Sequence, residues 1–173
     1  MAMLFSCENE MSTIHSLTKV DSLPSESAYN INMHFSDSGR LKAVLKSPEL
    51  LKYSGKNAQM LFPQGIHVFF YDSLENLTTE IQSDYAISHQ KERMMEVHKN
   101  VIITNHQDQT VLTTEKLFWD QNKRLIYNNV FTTIKENDRI MHGDSMRADE
   151  NMDHLDLFQM RATIDIIEED SLK

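Results

Sequence analysis

From Asn100 to Asp120 the chain reads NVIITNHQDQTVLTTEKLFWD. This stretch leaves room for little except an antiparallel hairpin. Val101 and Ile103 alternate with Ile102 and Thr104, and successive side chains of a strand point to opposite faces. Asn105 to Thr110 contain no apolar residue and form the turn. The returning strand runs from Val111 to Trp119. Simple alternation puts Val111, Thr113, Glu115, Leu117 and Trp119 on one face, and Leu112, Thr114, Lys116 and Phe118 on the other. Val, Ile, Thr, Phe and Trp suit a pleated, half-buried surface.

The rest of the chain follows the same rule. Ile31, Met33 and Phe35 alternate with polar residues, Ser36-Asp37-Ser38-Gly39 turns, and Leu41, Ala43 and Leu45 return. That strand is expected to end before Pro48, and Glu49 to Tyr53 read as either a helical turn or an irregular strand. Phe62-Pro63-Gln64-Gly65 is a second turn, and Ile66 to Tyr71 is the most β-prone run. Leu77 to Ile87 pairs back. Further strands are expected at Met94–His98, Val101–Thr104, Val111–Trp119, Arg124–Tyr127, Val130–Lys135, Arg139–His142, Ser145–Ala148, His154–Phe158 and Thr163–Ile166. No substantial stretch carries apolar residues at helical spacing, so helical crossovers between parallel strands are excluded and the sheet is antiparallel. The division is an N-terminal arm over 1–29, a β domain over 30–167 and an acidic tail over 168–173.

A repeat underlies this pattern. Ser83-Asp84-Tyr85-Ala86, Thr114-Glu115-Lys116-Leu117 and Gly143-Asp144-Ser145-Met146 lie 31 and 29 residues apart. Each has a small residue, an acid, any residue, then an apolar one. Asn129-Val130 likewise follows Asn100-Val101 at 29 residues. Such a period indicates stacked hairpin units, each burying its apolar face on the next.

Charge and motif content exclude several function classes. The net charge of −9 argues against general nucleic-acid binding, which needs a basic face, and against adhesion to anionic membranes by charge alone. No apolar run approaches the ~18 residues of a spanning helix. The eight histidines never form an HxH, HExxH or HxxxH pair, and one cysteine excludes both an internal disulfide and a multi-thiolate metal site. Asp149-Glu150 and Glu168-Glu169-Asp170 sit in turn and tail contexts. With no phosphate loop and no nucleophile elbow, neither a catalytic centre nor a cofactor is expected. Asn76-Leu77-Thr78 matches a glycosylation sequon, which would be a chance match if the cell is bacterial. Leu4-Phe5-Ser6-Cys7 has the order of a lipoprotein signal's end, which makes Cys7 a candidate lipidation site; the other reading is an ordinary N-terminus with a free thiol. Eleven methionines suit either a core or a surface that accommodates variable apolar partners.

Several segments resemble, in this order, the LptC family of the lipopolysaccharide export machinery. They are Phe35-Ser36-Asp37-Ser38-Gly39, Phe62-Pro63-Gln64-Gly65-Ile66, Ser83-Asp84-Tyr85-Ala86, Asn100-Val101, the run Leu112 to Asp120, Asn129-Val130, and Ile140-Met141-His142-Gly143. The resemblance spans residues 30–165. It implies an all-β, open, twisted antiparallel β-jellyroll of stacked hairpins, shared with LptA and the amino-terminal region of LptD. It also implies an apolar interior that takes up acyl chains of lipopolysaccharide, delivered by the inner-membrane transporter LptB, LptF and LptG and passed to LptA by edge-to-edge strand pairing in the periplasm. The family has no catalytic residues. Against the family pattern, only the short tract before Cys7 stands where the usual membrane anchor is expected, the turn at Asn105–Gln109 has no glycine, and Gly143-Asp144-Ser145-Met146 replaces a Gly-x-Gly-Phe-like run.

Alternation then selects Ile66, Val68, Phe70, Val101, Ile103, Leu117, Trp119, Val130, Ile134 and Ile140 as groove liners. The choice depends on register, because a slip of one residue sends a whole set outside. Unpaired end strands would also permit self-association. The competing readings are a non-lipid β scaffold or adhesion module with a closed core, and an enzyme on a β-sandwich.

Overall fold

The computed structural model describes residues 23–55, 58–137, 139–149, 152 and 154–164. Its strands are β1 (Glu26–Asp37), β2 (Arg40–Tyr53), β3 (Gln59–Phe62), β4 (Ile66–Tyr71), β5 (Leu77–Ser83), β6 (Tyr85–His89) and β7 (Met94–Asn105). They continue with β8 (Val111–Asp120), β9 (Leu125–Tyr127), β10 (Thr132–Glu136), β11 (Arg139–Gly143), β12 (Ser145–Asp149), β13 (Leu155–Phe158) and β14 (Arg161–Ile164). All pairings are antiparallel. The all-β, jellyroll-like architecture expected from the sequence is the one observed.

The topology reduces to a meander of bent rungs. β1, β2, β7 and β8 are continuous, whereas β3–β4, β5–β6, β9–β10, β11–β12 and β13–β14 are each one rung broken at a corner. Every rung pairs with its neighbours in chain order. One arm contains β3, β6, β9, β12 and β13, with the first halves of β1 and β7 and the second halves of β2 and β8. The other contains β4, β5, β10, β11 and β14 with the remaining halves. Residues of both arms share one hydrophobic cluster, so the arms face each other across it.

The corners explain the repeat. In each copy the first and fourth residues are buried and the acid between them is exposed: Ser83 and Ala86, Thr114 and Leu117, Gly143 and Met146. Residues three apart cannot share a face of a regular strand, so alternation slips by one where the rung bends. The facing strand of β8 slips too. Pairing jumps from His98↔Lys116 to Val101↔Thr114, and Lys99 and Asn100 take left-handed φ of 64° and 49°. Asp84 N donates to Lys99 O and Asp144 N to Phe158 O, each at 3.0 Å, so the broken rungs keep their corner amides satisfied. In the third copy crowding requires the glycine. A Cβ on Gly143 would stand 3.0 Å from Leu157 Cδ2 and 3.2 Å from Phe158 O.

These slips correct several expectations. The faces of β8 change identity between Thr114 and Leu117, so Leu112 and Thr114 lie inside with Leu117 and Trp119. Met94–His98 and Val101–Thr104 are one bulged strand, β7. Leu77–Ile87 is interrupted at Asp84. β2 runs through Pro48 to Tyr53, because the proline occupies the corner, where a missing N–H costs no ladder bond. β1 already begins at Glu26, inside the segment expected to be an irregular arm. The corner counterpart of Val101 is Thr132, since both pair with Thr114; Val130 lies in the link before β10.

Candidate functional site: the apolar interior

The inner face is built as rows crossing the meander. In the second arm Met33, Leu45, Val68, Ile81, Ile103, Leu112, Ile134 and Met141 are successive cross-strand partners. This apolar ladder runs from β1 to β11 without a polar member. In the first arm Phe62, Ala86, Val97 and Leu117 form the row near the corner. Met60, Ser88, Met95, Trp119, Ile126, Ala148 and Leu155 form the next row out. Cross-strand apolar pairs stabilise such a sheet by ~0.2–1 kcal/mol each.

Eight of the ten sequence-selected liners belong to this interior. Ile66, Val68, Val101, Ile103, Leu117 and Ile134 are buried in the cluster, and Phe70 and Trp119 pack against it half-buried. Ile140 is placed elsewhere. It pairs with Lys135, on the opposite face from Ile134 and Met141. Val130 is half-buried in the 128–131 link, outside the cluster's members. The choice from alternation missed Met33, Leu45, Phe62, Ile81, Val97, Leu112, Ile126, Met141 and Met146. For Leu112 the signal was present, because the small-acid-x-apolar motif itself marks the slip.

The interior is filled with side chains. Phe62 and Met146 are 1% exposed and Ala86 and Val101 0%. A polar knot sits at its corner. Asn128 Nδ2 lies 2.9 Å from Thr114 Oγ1 and 2.7 Å from Thr132 Oγ1, and Met146 N donates to Asn128 Oδ1 at 2.8 Å. One buried side-chain polar atom among the described residues finds no partner, the indole Nε1 of Trp119. Its neighbour Asp120 is accounted for by the turn it closes. Lys123 Nζ and the amides of Lys123 and Asn122 all donate to its carboxylate, which lowers its pKa, the Lys123 side chain most strongly.

The outer face is ionic. Glu80 accepts hydrogen bonds from His67 at 2.7 Å and His106 at 2.8 Å, and Glu96 pairs with His89 and His98 at 3.1 Å each. The His67 bond is the main cause that lowers the Glu80 pKa. Burial raises that of Glu96, but the bonds from His98 and His89, with Lys116 nearby, outweigh it. Among the described residues no His, Cys, Asp or Glu group could hold a metal ion, and no helix is long and apolar enough to cross a membrane. Cys7 lies outside the described residues.

A bent antiparallel meander with a continuous apolar inner face and an edge strand at each end is an open β-jellyroll. The family model described as lipopolysaccharide-assembly, LptC-related, matches residues 2–165, most of the chain. The chain belongs to the LptC family, and its role lies in lipopolysaccharide transport. The family is a lipid-transport bridge component that faces the periplasm and is linked to the inner membrane. A search of curated proteins gives no match.

Proposed function

We propose that this chain, held at the periplasmic side of the inner membrane of a Gram-negative bacterium, receives lipopolysaccharide from the LptB, LptF and LptG transporter and passes it to an LptA-like bridge protein. The acyl chains travel between the two arms. Supporting this is the apolar ladder from Met33 to Met141, which spans nearly the whole meander without a polar interruption. Exposing one long acyl chain to water costs on the order of 10 kcal/mol at ~0.8 per CH₂, so a multi-acyl lipid needs a continuous apolar path. The filled interior admits it when the arms part at their bent corners, and the six methionines of the cluster repack around it. The edges of β1 at one end and of β13 and β14 at the other, which pair with no further strand among the described residues, suit strand addition by the neighbouring proteins.

The test is site-specific photocrosslinking in cells. Crosslinkers at Leu45, Ile103 and Met141 are expected to capture lipopolysaccharide, and crosslinkers at outward-facing Thr113 and Lys135 are not. Absence of adducts from every inner position removes the proposal. It would instead favour a non-lipid scaffold with a closed core, the reading that the tight packing around Phe62, Ala86 and Met146 supports.

A further inference from the structure

The Trp119 indole carries a buried donor with no acceptor, inside a wall that is otherwise apolar or internally satisfied. Leaving such a group unpaired is costly, and the great majority of buried donors find a partner. Its place in the wall is specific. Trp119 lies in the outer row of the first arm, between Met95 and Ile126, while Leu117 of the same strand lies in the row nearer the corner. The two rows are ~7 Å apart along the strand. An acyl chain reaching from the lip of the trough to its corner would therefore cover Leu117 with methylenes and bring the junction of tail and head to the height of Trp119. In an acyl lipid that junction is an ester or amide, whose carbonyl is an acceptor. Trp is suited to such a boundary, with an apolar body and one polar handle.

We infer that Trp119 is a specificity-determining residue of the interior, its Nε1–H donating to the ester or amide carbonyl at the root of a bound acyl chain. The inference rests on the lipid-carrier reading above and adds a chemical requirement to it. The carrier distinguishes acyl-linked from ether-linked chains of the same length, and the chain's position along the trough is fixed by this one bond. Trp119 is the single tryptophan of the sequence, so its own emission reports occupancy of the site in the native protein.

The experiment compares two probes, a lysophosphatidylcholine bearing one ester-linked acyl chain and its alkyl-ether analogue of equal chain length, both below their micellar concentrations. Affinities are measured by calorimetry on the full chain and on Trp119→Phe, which keeps an aromatic ring and removes the donor. The native chain is expected to prefer the ester by about three- to tenfold, the worth of one net hydrogen bond. Trp119→Phe is expected to bind both probes at the weaker, ether-like affinity. Equal affinity of the native chain for the two probes overturns the inference and leaves lipid carriage standing; this arm needs no variant. A preference that survives in Trp119→Phe also overturns it, because the donor is then another group. Failure of the native chain to bind either probe overturns the inference, whereas the carrier reading stands or falls on the lipopolysaccharide crosslinks at Leu45, Ile103 and Met141.

Discussion

Asn100 donates a 2.6 Å hydrogen bond from Nδ2 to Oδ2 of Asp84. The bond ties the bulge of β7 to the break between β5 and β6, the two corners that stand side by side in the meander. Asn is one of the few residues that tolerates the left-handed φ of 49° found there. Asn100→Ala should lose both the bond and this tolerance, for about 2 kcal/mol of stability. Asn100→Gly should lose the bond alone, for about 1 kcal/mol. Urea unfolding of the two variants separates the terms, and equal losses would show that the φ requirement contributes nothing.

Asn128 should be the least replaceable polar residue of the interior. Its amide serves Thr114, Thr132 and the Met146 backbone N–H, all at the corner between the arms. Asn128→Ala strands several buried polar groups at once, and a loss of about 3 kcal/mol is expected. Thermal melting is the measurement, and a change below about 1 kcal/mol would mean that water replaces the amide.

Glu80 gives the chain an acid-sensitive contribution. Its folded pKa lies below the ordinary 4.5, the hydrogen bond from His67 being the main cause. A depressed carboxyl pKa stabilises the fold above its unfolded value, and that contribution is lost as pH falls through the folded one. Native chain and Glu80→Gln should therefore differ in stability at neutral pH and converge as pH drops below about 4.5. A gap that stays constant through this range would contradict the assignment.

Ile134 and Ile140 test which face is inside. Ile134 is buried in the cluster, while Ile140 pairs with Lys135 on the outer face. Truncation to Ala should cost about 2–5 kcal/mol at Ile134, the range for a core isoleucine, and about 1 kcal/mol or less at Ile140. Reversed values would place β10 and β11 one residue out of the observed register.

Much of this fold is legible in local chemistry. The hairpin of β7 and β8 follows from alternation and a polar turn, and antiparallel pairing follows from the missing helical period. Even the corners leave a trace, in the small-acid-x-apolar motif around Asp84, Glu115 and Asp144. What the trace means is not local. At Gly143 the motif's small residue answers to a neighbouring rung, whose Leu157 crowds it. The motif breaks the alternation because the rung leaves one arm for the other.

The sequence by itself therefore determined the strand class, the order of the rungs and the family. The tertiary structure decided the faces. Leu112 and Leu117 both point inward although they lie five positions apart, an odd offset, because the bend of β8 absorbs one residue of phase. Ile140 points outward for the converse reason. It looks like a liner by composition, yet its register with Lys135 fixes it on the ionic side. Side-chain direction along a strand has period two, so one slipped residue at a corner, set by contacts between rungs distant in the chain, reverses the sides of everything that follows.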